Sequence, residues 1–177
     1  MKNYILTLLL GMGLLSCTPK TAIALEEIPS TVEDLYLTME EVSLIEGNYT
    51  GTLEYLNYSD DKTRVTLNMT ASFTIEGNKI EVINRFNEGN GRVETRKGHY
   101  KIKGGKIDGH ALTEKVVEGD TFRIVWLETG KDGNDHKSAT FRFTMKGDGT
   151  TLSIRKEVLF DGETDYFTRN LTELRKK

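Results

Sequence analysis

The amino-acid sequence predicts an all-β protein: an antiparallel up-and-down β-barrel of about eight to ten strands, preceded by a short helix. Three observations predict this class. Residues Arg64 to Ile75 alternate strictly between apolar and polar side chains, which is the period of a strand with one buried face. Clusters of Gly, Asn and Asp, which favour turns, recur between such segments. Both prolines lie before residue 30, so every predicted strand can donate its ladder hydrogen bonds.

The first sixteen residues have the pattern of a secretory signal peptide. Lys2 provides the charged start, and Tyr4 to Leu15 form an apolar run. As a helix this run would span roughly 18 Å, whereas the hydrocarbon core of a bilayer is about 30 Å thick. The sequence therefore predicts a cleaved export signal at residues 1–16 and no membrane-spanning helix.

The residues before the only cysteine, Leu14-Leu15-Ser16, are typical of a lipid-attachment signal, and with Cys17 they resemble the bacterial lipobox. The resemblance implies that the Cys17 thiol carries a diacylglyceryl group, with palmitate as a typical acyl chain. It also implies cleavage that leaves Cys17 at the new N-terminus. Because Thr18 follows, it implies the outer membrane, facing either the periplasm or the exterior. The alternative is an ordinary signal peptide with a chance cysteine near its cleavage site.

The sequence divides into a signal peptide at 1–16, a lipid-anchored tether with a short helix at 17–45, and a barrel domain at 46–177. Ser30 and Glu33 have the spacing of a capping box, which predicts a helix near residues 31–42. The formal net charge of −3 argues against nucleic-acid binding, because that function needs a strongly basic face.

The predicted strands share alternating apolar positions and are bounded by turn residues. They lie at residues 47–58, 64–75, 79–86, 99–103, 106–117, 122–128, 138–146, 151–160 and 164–174.

The first predicted strand begins with Gly47-Asn48-Tyr49, where lipocalins have a Gly-x-Trp motif. Near the end of the chain, Arg169 or Arg175 could supply the arginine that lipocalins pack across the first aromatic residue. On these residues, roughly positions 46 to 175 resemble the lipocalin-like, or calycin, group, and in particular the small barrel lipoproteins of Gram-negative bacteria. The resemblance implies a barrel that encloses a small molecule.

Polar residues that fall on an apolar face are the candidates for ligand contacts. Lys156 interrupts the inward positions of its strand, and Arg169 and Asn84 do the same in theirs. A buried charge needs a partner, which is either a ligand carboxylate or phosphate, or a protein group. In the second case we expect Arg169 to close the base of the barrel against Tyr49. The predicted ligand-binding residues are Phe73, Asn84, Trp126, Phe141, Phe143, Ile154, Lys156 and Arg169.

The sequence thus favours an envelope barrel that binds a small hydrophobic or amphipathic ligand inside. The alternative is an interaction module with a filled barrel, which binds a protein or an anionic glycan through its loops or its basic segment from Arg92 to Lys106. No nucleophile–base pair or metal cluster stands out, so we expect no enzymatic activity, no cofactor and no metal. Residues 132–136 suggest a calcium loop, but Lys137 and Phe143 occupy the positions where an EF-hand needs Gly and Glu. We expect a polar hairpin turn there.

Overall fold

In the computed structural model of this protein, the described residues are 35–89, 91–133 and 136–177. They contain one α-helix and ten β-strands. The elements are α1 Met39–Ser43, β1 Gly47–Leu56, β2 Arg64–Glu76, β3 Lys79–Asn87, β4 Val93–Lys103, β5 Lys106–Ile107, β6 Leu112–Glu118, β7 Thr121–Asp132, β8 Lys137–Gly147, β9 Thr151–Phe160 and β10 Phe167–Lys176. The predicted signal peptide and Cys17 lie outside the described residues.

All ten strands belong to one sheet, in the order β5-β4-β3-β2-β1-β10-β9-β8-β7-β6. Every paired neighbour is antiparallel, and the first strand pairs with the last, with Thr52 opposite Glu173. Within the described residues, β6 pairs only with β7, and β5 extends the other edge by two residues. The sheet therefore curls into a nearly closed barrel with a seam between β4 and β6. This confirms the predicted antiparallel barrel.

The two ends of the barrel differ. Helix α1 packs over one end, where Val42 and Ile45 are buried and the Leu37 N–H donates to the Gly105 carbonyl at 3.2 Å. We call this the α1 end. The other end carries the connections β1–β2, β3–β4, β7–β8 and β9–β10, and we call it the loop end. No helix in the described part of the chain is long and apolar enough to cross a membrane.

The helix lies later in the chain than predicted. It begins after Thr38, whose N–H donates to Glu41 Oε2 at 2.8 Å while its hydroxyl accepts from the Glu41 N–H at 3.2 Å. Thr38 and Glu41 thus form a capping box. The capping box predicted at Ser30 and Glu33 lies outside the described residues. Leu37 was wrongly predicted to be helical, because its backbone bridges to Gly105 instead. A tertiary contact outweighs the helical spacing of the apolar residues.

Two predicted strand ranges were also wrong. The segment 106–117 is interrupted by a turn with positive φ at Asp108 and Gly109, so that β5 ends at Ile107 and β6 begins at Leu112. Asp108 Oδ1 stabilises this turn by accepting from the Lys101 N–H at 2.7 Å. Strand β4 begins at Val93, well before the predicted start at residue 99, because its first half is polar and gives little apolar alternation.

Candidate ligand-binding site

Four charged side chains meet at the loop end, and we call them the ionic cluster: Asp61, Asp132, Lys156 and Arg169. Arg169 is fully buried, and its two terminal nitrogens lie 2.6 Å from Asp61 Oδ1 and 2.6 Å from Asp132 Oδ2. Lys156 Nζ lies 3.2 Å from Asp132 Oδ1. The contact of Arg169 with Asp132 is an ion pair without good hydrogen-bond angles. With two acids and two bases, the cluster is neutral as a unit.

A β-bulge in β10 places Arg169 inside the barrel. The register against β9 shifts between Thr168, which faces Glu157, and Asn170, which faces Lys156. The extra residue at a bulge bends the strand and re-aims its side chains. Both Arg169 and the Asn170 amide oxygen are consequently buried. Uninterrupted alternation along β10 would have turned one of these two residues outward.

Aromatic rings surround the two buried cations. The Arg169 guanidinium lies 4.6 Å from the Tyr58 ring centroid and 4.9 Å from that of Phe167, and Lys156 Nζ lies 4.0 Å from that of Phe141. Burial disfavours the charge of Arg169, but Asp61 and Asp132 outweigh it and hold the pKa of Arg169 above its ordinary value. Burial, together with the Asp132 charge, raises the pKa of Tyr58. The charge of Arg169 is therefore compensated by groups of the protein itself.

A cavity of about 300 Å³ lies next to the ionic cluster, and we call it the loop-end cavity. Tyr58 connects the two, because it lines the cavity and its ring contacts Arg169. Asn170 Oδ1 is also buried there and accepts no hydrogen bond from any described residue. The lining residues are Leu53, Tyr55, Tyr58, Leu67, Phe86, Glu88, Glu94, Arg96 and Asn170.

The acidic side chains of the cavity have basic partners. Arg96 Nε donates to Glu94 Oε1 at 2.7 Å, and this hydrogen bond lowers the pKa of Glu94. Arg92 Nε lies 3.6 Å from Glu88 Oε2. Arg96 also lies over the Phe86 ring, 5.6 Å from its centroid. The cavity thus combines an apolar wall with a few polar groups, which is the usual composition of a small-molecule site.

The predicted ligand residues fall into separate groups. Trp126 is buried against the Phe143 ring, with centroids 5.1 Å apart and an interplanar angle of 11°. Its indole N–H donates to Glu128 Oε1 at 2.9 Å. The Tyr100 and Trp126 rings meet edge to face, with centroids 6.2 Å apart, and burial raises the pKa of Tyr100 to about 12. Phe141 lies 6.4 Å from Phe143. These four aromatic rings therefore belong to the packed core of the barrel.

The remaining predicted residues are distributed differently. Phe73 packs at the α1 end with its ring edge against Tyr49, and Ile154 packs against the main core. Asn84 lines a separate cavity of about 230 Å³ near the seam. The expected contact of Arg169 with Tyr49 was wrong, because the Tyr49 hydroxyl donates to the Ile45 carbonyl at 3.0 Å at the opposite end from Arg169. Whether the eight predicted residues bind a ligand stays a prediction.

The residues that complete this region were not predicted from the sequence. Asp132 was assigned to a polar turn, yet it continues the inward positions Phe122, Ile124 and Trp126 of β7 and is 4 % exposed. The alternation of inward residues along β7 was therefore the signal that could have identified Asp132 as buried. Tyr58 and Asn170 had no comparable signal, because one lies in a loop and the other depends on the bulge. Among the described residues, no group of three or more His, Cys, Asp or Glu side chains is placed to hold a metal ion.

Together, the fold and this site define a β-barrel protein with a cavity at one end. A scan against protein-family models finds no match, and a search of curated proteins finds none either. Among solved structures, the chain is similar to the crystal structure of Rv2717c from M. tuberculosis, with 11% identity and a TM-score of 0.57, over 78% of this chain and 96% of that one. A redesigned β-barrel, b11L5F_LGL, has 12% identity and a TM-score of 0.40, over 77% and 95%. The first similarity shows the fold alone; the second is too low to argue from.

Proposed function

We propose that this protein binds a small amphipathic molecule in the loop-end cavity and is held at the bacterial cell envelope by acyl chains on Cys17. The observation that carries the proposal is the cavity of about 300 Å³, which combines apolar side chains with a buried, unpartnered amide oxygen of Asn170. Small-molecule sites have volumes of about 300 to 1,000 Å³ and few polar groups. A small guest therefore fits better than a long lipid.

The lining suggests which chemistry the guest carries. Leu53, Leu67 and Phe86 offer an apolar wall, and Asn170 Oδ1 offers a hydrogen-bond acceptor. A buried acceptor without a partner costs about 1–3 kcal/mol, so a ligand hydroxyl or N–H that bonds to it gains affinity. An anionic group is disfavoured there, because the one basic side chain in the lining, Arg96, already donates to Glu94. A neutral amphipathic molecule with a hydroxyl or N–H donor is thus the best match.

For Lys156 and Arg169, the contacts favour the second of the two alternatives that the sequence left open, a protein partner. Asp132 contacts both cations, and Asp61 holds Arg169 from the loop, so that the two acids balance the two bases. A ligand carboxylate would have to displace buried protein carboxylates. The cluster instead supports the cavity by fixing Tyr58, which packs on the Arg169 guanidinium.

A second candidate is an envelope interaction module. It is favoured by the stacked Trp126 and Phe143 rings, which fill part of the interior, and by exposed basic side chains on β4, including Lys97, Lys101 and Lys103. These lysines lie beside the seam, where they could contact an anionic glycan. A glycan array distinguishes this candidate from the first. Binding of an anionic glycan would depend on the β4 lysines, whereas binding inside the loop-end cavity would not.

The lipid anchor is testable on its own. We expect cells given an alkyne analogue of palmitate to label the wild-type protein and not a Cys17→Ser variant. The variant should then leave the membrane fraction. Label on the Cys17→Ser protein would contradict the anchor without affecting the ligand proposal.

The interior site is tested by native mass spectrometry of the full chain in detergent micelles, after incubation with the small amphipathic molecules extracted from bacterial envelopes. We expect an added mass on the wild-type protein that is lost on denaturation. Leu67→Trp fills the cavity and should abolish the added mass, whereas Thr66→Trp, at an exposed position of the same strand, should retain it. A wild-type protein with no added mass, or equal retention by both variants, would refute interior binding.

A further inference from the structure

The outer surface of β6, β7, β8 and β9 contains a groove that is separate from the loop-end cavity. It has a volume of about 430 Å³, and we call it the outer-face groove. Its lining is mostly polar and includes four basic and two acidic side chains. The lining residues are Thr113, Glu114, Arg123, Val125, Arg142, Thr144, Lys146, Ser153, Arg155 and Glu157.

Two of the basic side chains are held by the acids. Arg142 Nε donates to Glu157 Oε2 at 2.8 Å, and its guanidinium lies 4.2 Å from the Tyr166 ring centroid. This hydrogen bond raises the pKa of Arg142. Arg123 contacts Glu114 in a second ion pair. Both carboxylates are thereby used, and the two arginines are fixed as walls of the groove.

The other two basic side chains, Lys146 and Arg155, have no side-chain partner among the described residues. Lys146 lies directly opposite Arg123 in the β7–β8 register. Like charges at directly opposed positions destabilise a sheet. With four basic and two acidic side chains, the lining has a formal net charge of +2, although the whole chain has a formal net charge of −3.

The unpaired cations alternate with hydroxyl groups in a square on β8 and β9. Lys146 pairs with Ser153 across the strands, and Thr144 pairs with Arg155. The cations thus occupy one diagonal and the hydroxyls the other. Directly opposed side chains on one face start about 4.5–5.5 Å apart. Four donors of this kind can converge on one tetrahedral group of oxygens.

The groove has an apolar floor. Val125 points to the outside of the barrel and yet is only 4 % exposed, because longer side chains surround it. Charge interactions above such a floor are screened less than those of fully solvated lysines. The groove is thus better suited to an anion than the exposed lysines of β4.

We propose that the outer-face groove binds a phosphate monoester, with Lys146 and Arg155 contacting the anionic oxygens and Thr144 and Ser153 donating hydrogen bonds. A phosphate dianion balances the excess charge of the lining, and its oxygens accept from several directions. The same group occurs on soluble phosphorylated compounds and on lipid headgroups. This proposal does not depend on a guest in the loop-end cavity.

The test uses the ¹⁵N-labelled full chain in dodecyl maltoside micelles and follows the amide signals of Thr144 and Ser153. One arm adds inorganic phosphate against chloride at equal ionic strength, and the other adds phosphatidic acid to the micelles. We expect saturable shifts in at least one arm. Saturation with inorganic phosphate indicates a soluble source, and saturation only with phosphatidic acid indicates a lipid headgroup. Either result supports the groove, and no saturation in both arms overturns it.

Variants separate a site from general charge attraction. Lys146→Met and Arg155→Met should each weaken binding by about tenfold or more. The matched control, Lys131→Met at an exposed position of β7 outside the groove, removes the same type of charge and should leave the affinity unchanged. Thr144→Val, which keeps every charge, should weaken binding by about threefold. Equal weakening in the Lys131→Met control, or equal binding of phosphatidylglycerol, a diester, would overturn the proposal.

Discussion

The α1 end and the loop end of this barrel are closed in different ways. At the α1 end, Leu37, Ile45, Tyr49 and Phe73 are all buried and nearly all the buried groups are apolar, so closure follows from removing hydrocarbon from water. At the loop end, the ionic cluster fills the interior and each charge must find a partner. The loop end also leaves Asn170 Oδ1 unpartnered beside a cavity. The α1 end therefore contributes mainly to stability, whereas the loop end offers the site proposed for binding.

The largest effect is expected from breaking the α1 end. Phe73 is 2 % exposed and packs on Tyr49, so Phe73→Ala leaves a cavity and should lower the free energy of unfolding by about 3–5 kcal/mol. Equilibrium urea unfolding measures this change. Thr74→Ala, an exposed position next in the chain, should change it by less than about 0.5 kcal/mol. A loss of under about 1 kcal/mol for Phe73→Ala would contradict the division between the ends.

A somewhat smaller loss is expected from breaking the ionic cluster at its shared acid. Asp132→Asn removes the charge that Lys156 and Arg169 both contact, and should lower the free energy of unfolding by about 3 kcal/mol. Asp61→Asn should cost less than about 1 kcal/mol, because the Asp61 side chain is 51% exposed. If the two variants lost similar amounts of stability, the burial of a carboxylate would not determine how much it contributes to the cluster. Urea unfolding at neutral pH compares them.

A still smaller, pH-dependent effect is expected where α1 joins the barrel. Burial disfavours the charge of Glu41, but hydrogen bonds from Lys115 and Thr38 outweigh it and lower the pKa of Glu41 below its ordinary value of 4.5. A lowered folded pKa adds stability that is complete above about pH 4.5 and is lost as pH falls through the folded value. Glu41→Gln should therefore cost about 1 kcal/mol at pH 7 and almost nothing in strong acid.

The measurement for Glu41 is thermal unfolding of wild type and variant from pH 7 down to pH 2. Glu40→Gln is the matched control on the exposed side of α1, and its difference from wild type should stay near zero at every pH. If Glu41→Gln were less stable than wild type by the same amount in acid as at pH 7, the carboxylate charge would not be the source of the difference.

The smallest effect on stability is expected at the loop-end cavity, where the substitution should stabilise the protein instead of destabilising it. Asn170→Leu removes a buried amide oxygen without a partner and should raise the free energy of unfolding by up to about 1 kcal/mol. The same change should lower the retention of the guest in native mass spectrometry. A variant that is both less stable and fully competent to bind would contradict the role assigned to Asn170.

Much of the fold was predictable, because strand alternation is local. The residues of β2 and β9 were located almost to the residue, and the inward position of Lys156 followed from neighbouring apolar residues. The site was predictable only in part. Tyr58 lies in a loop, where no period exists, and the bulge that turns Asn170 inward depends on how β10 pairs with β9.

By itself, the sequence determined that this chain forms strands with one apolar face, because that pattern repeats over two residues and needs no distant partner. It also determined that charges would be buried. The tertiary structure alone decided which groups neutralise them. Asp61, Asp132, Lys156 and Arg169 are far apart in the chain and meet only after the strands pair around the barrel. Charge compensation depends on distances through space, and those distances exist only in the folded protein.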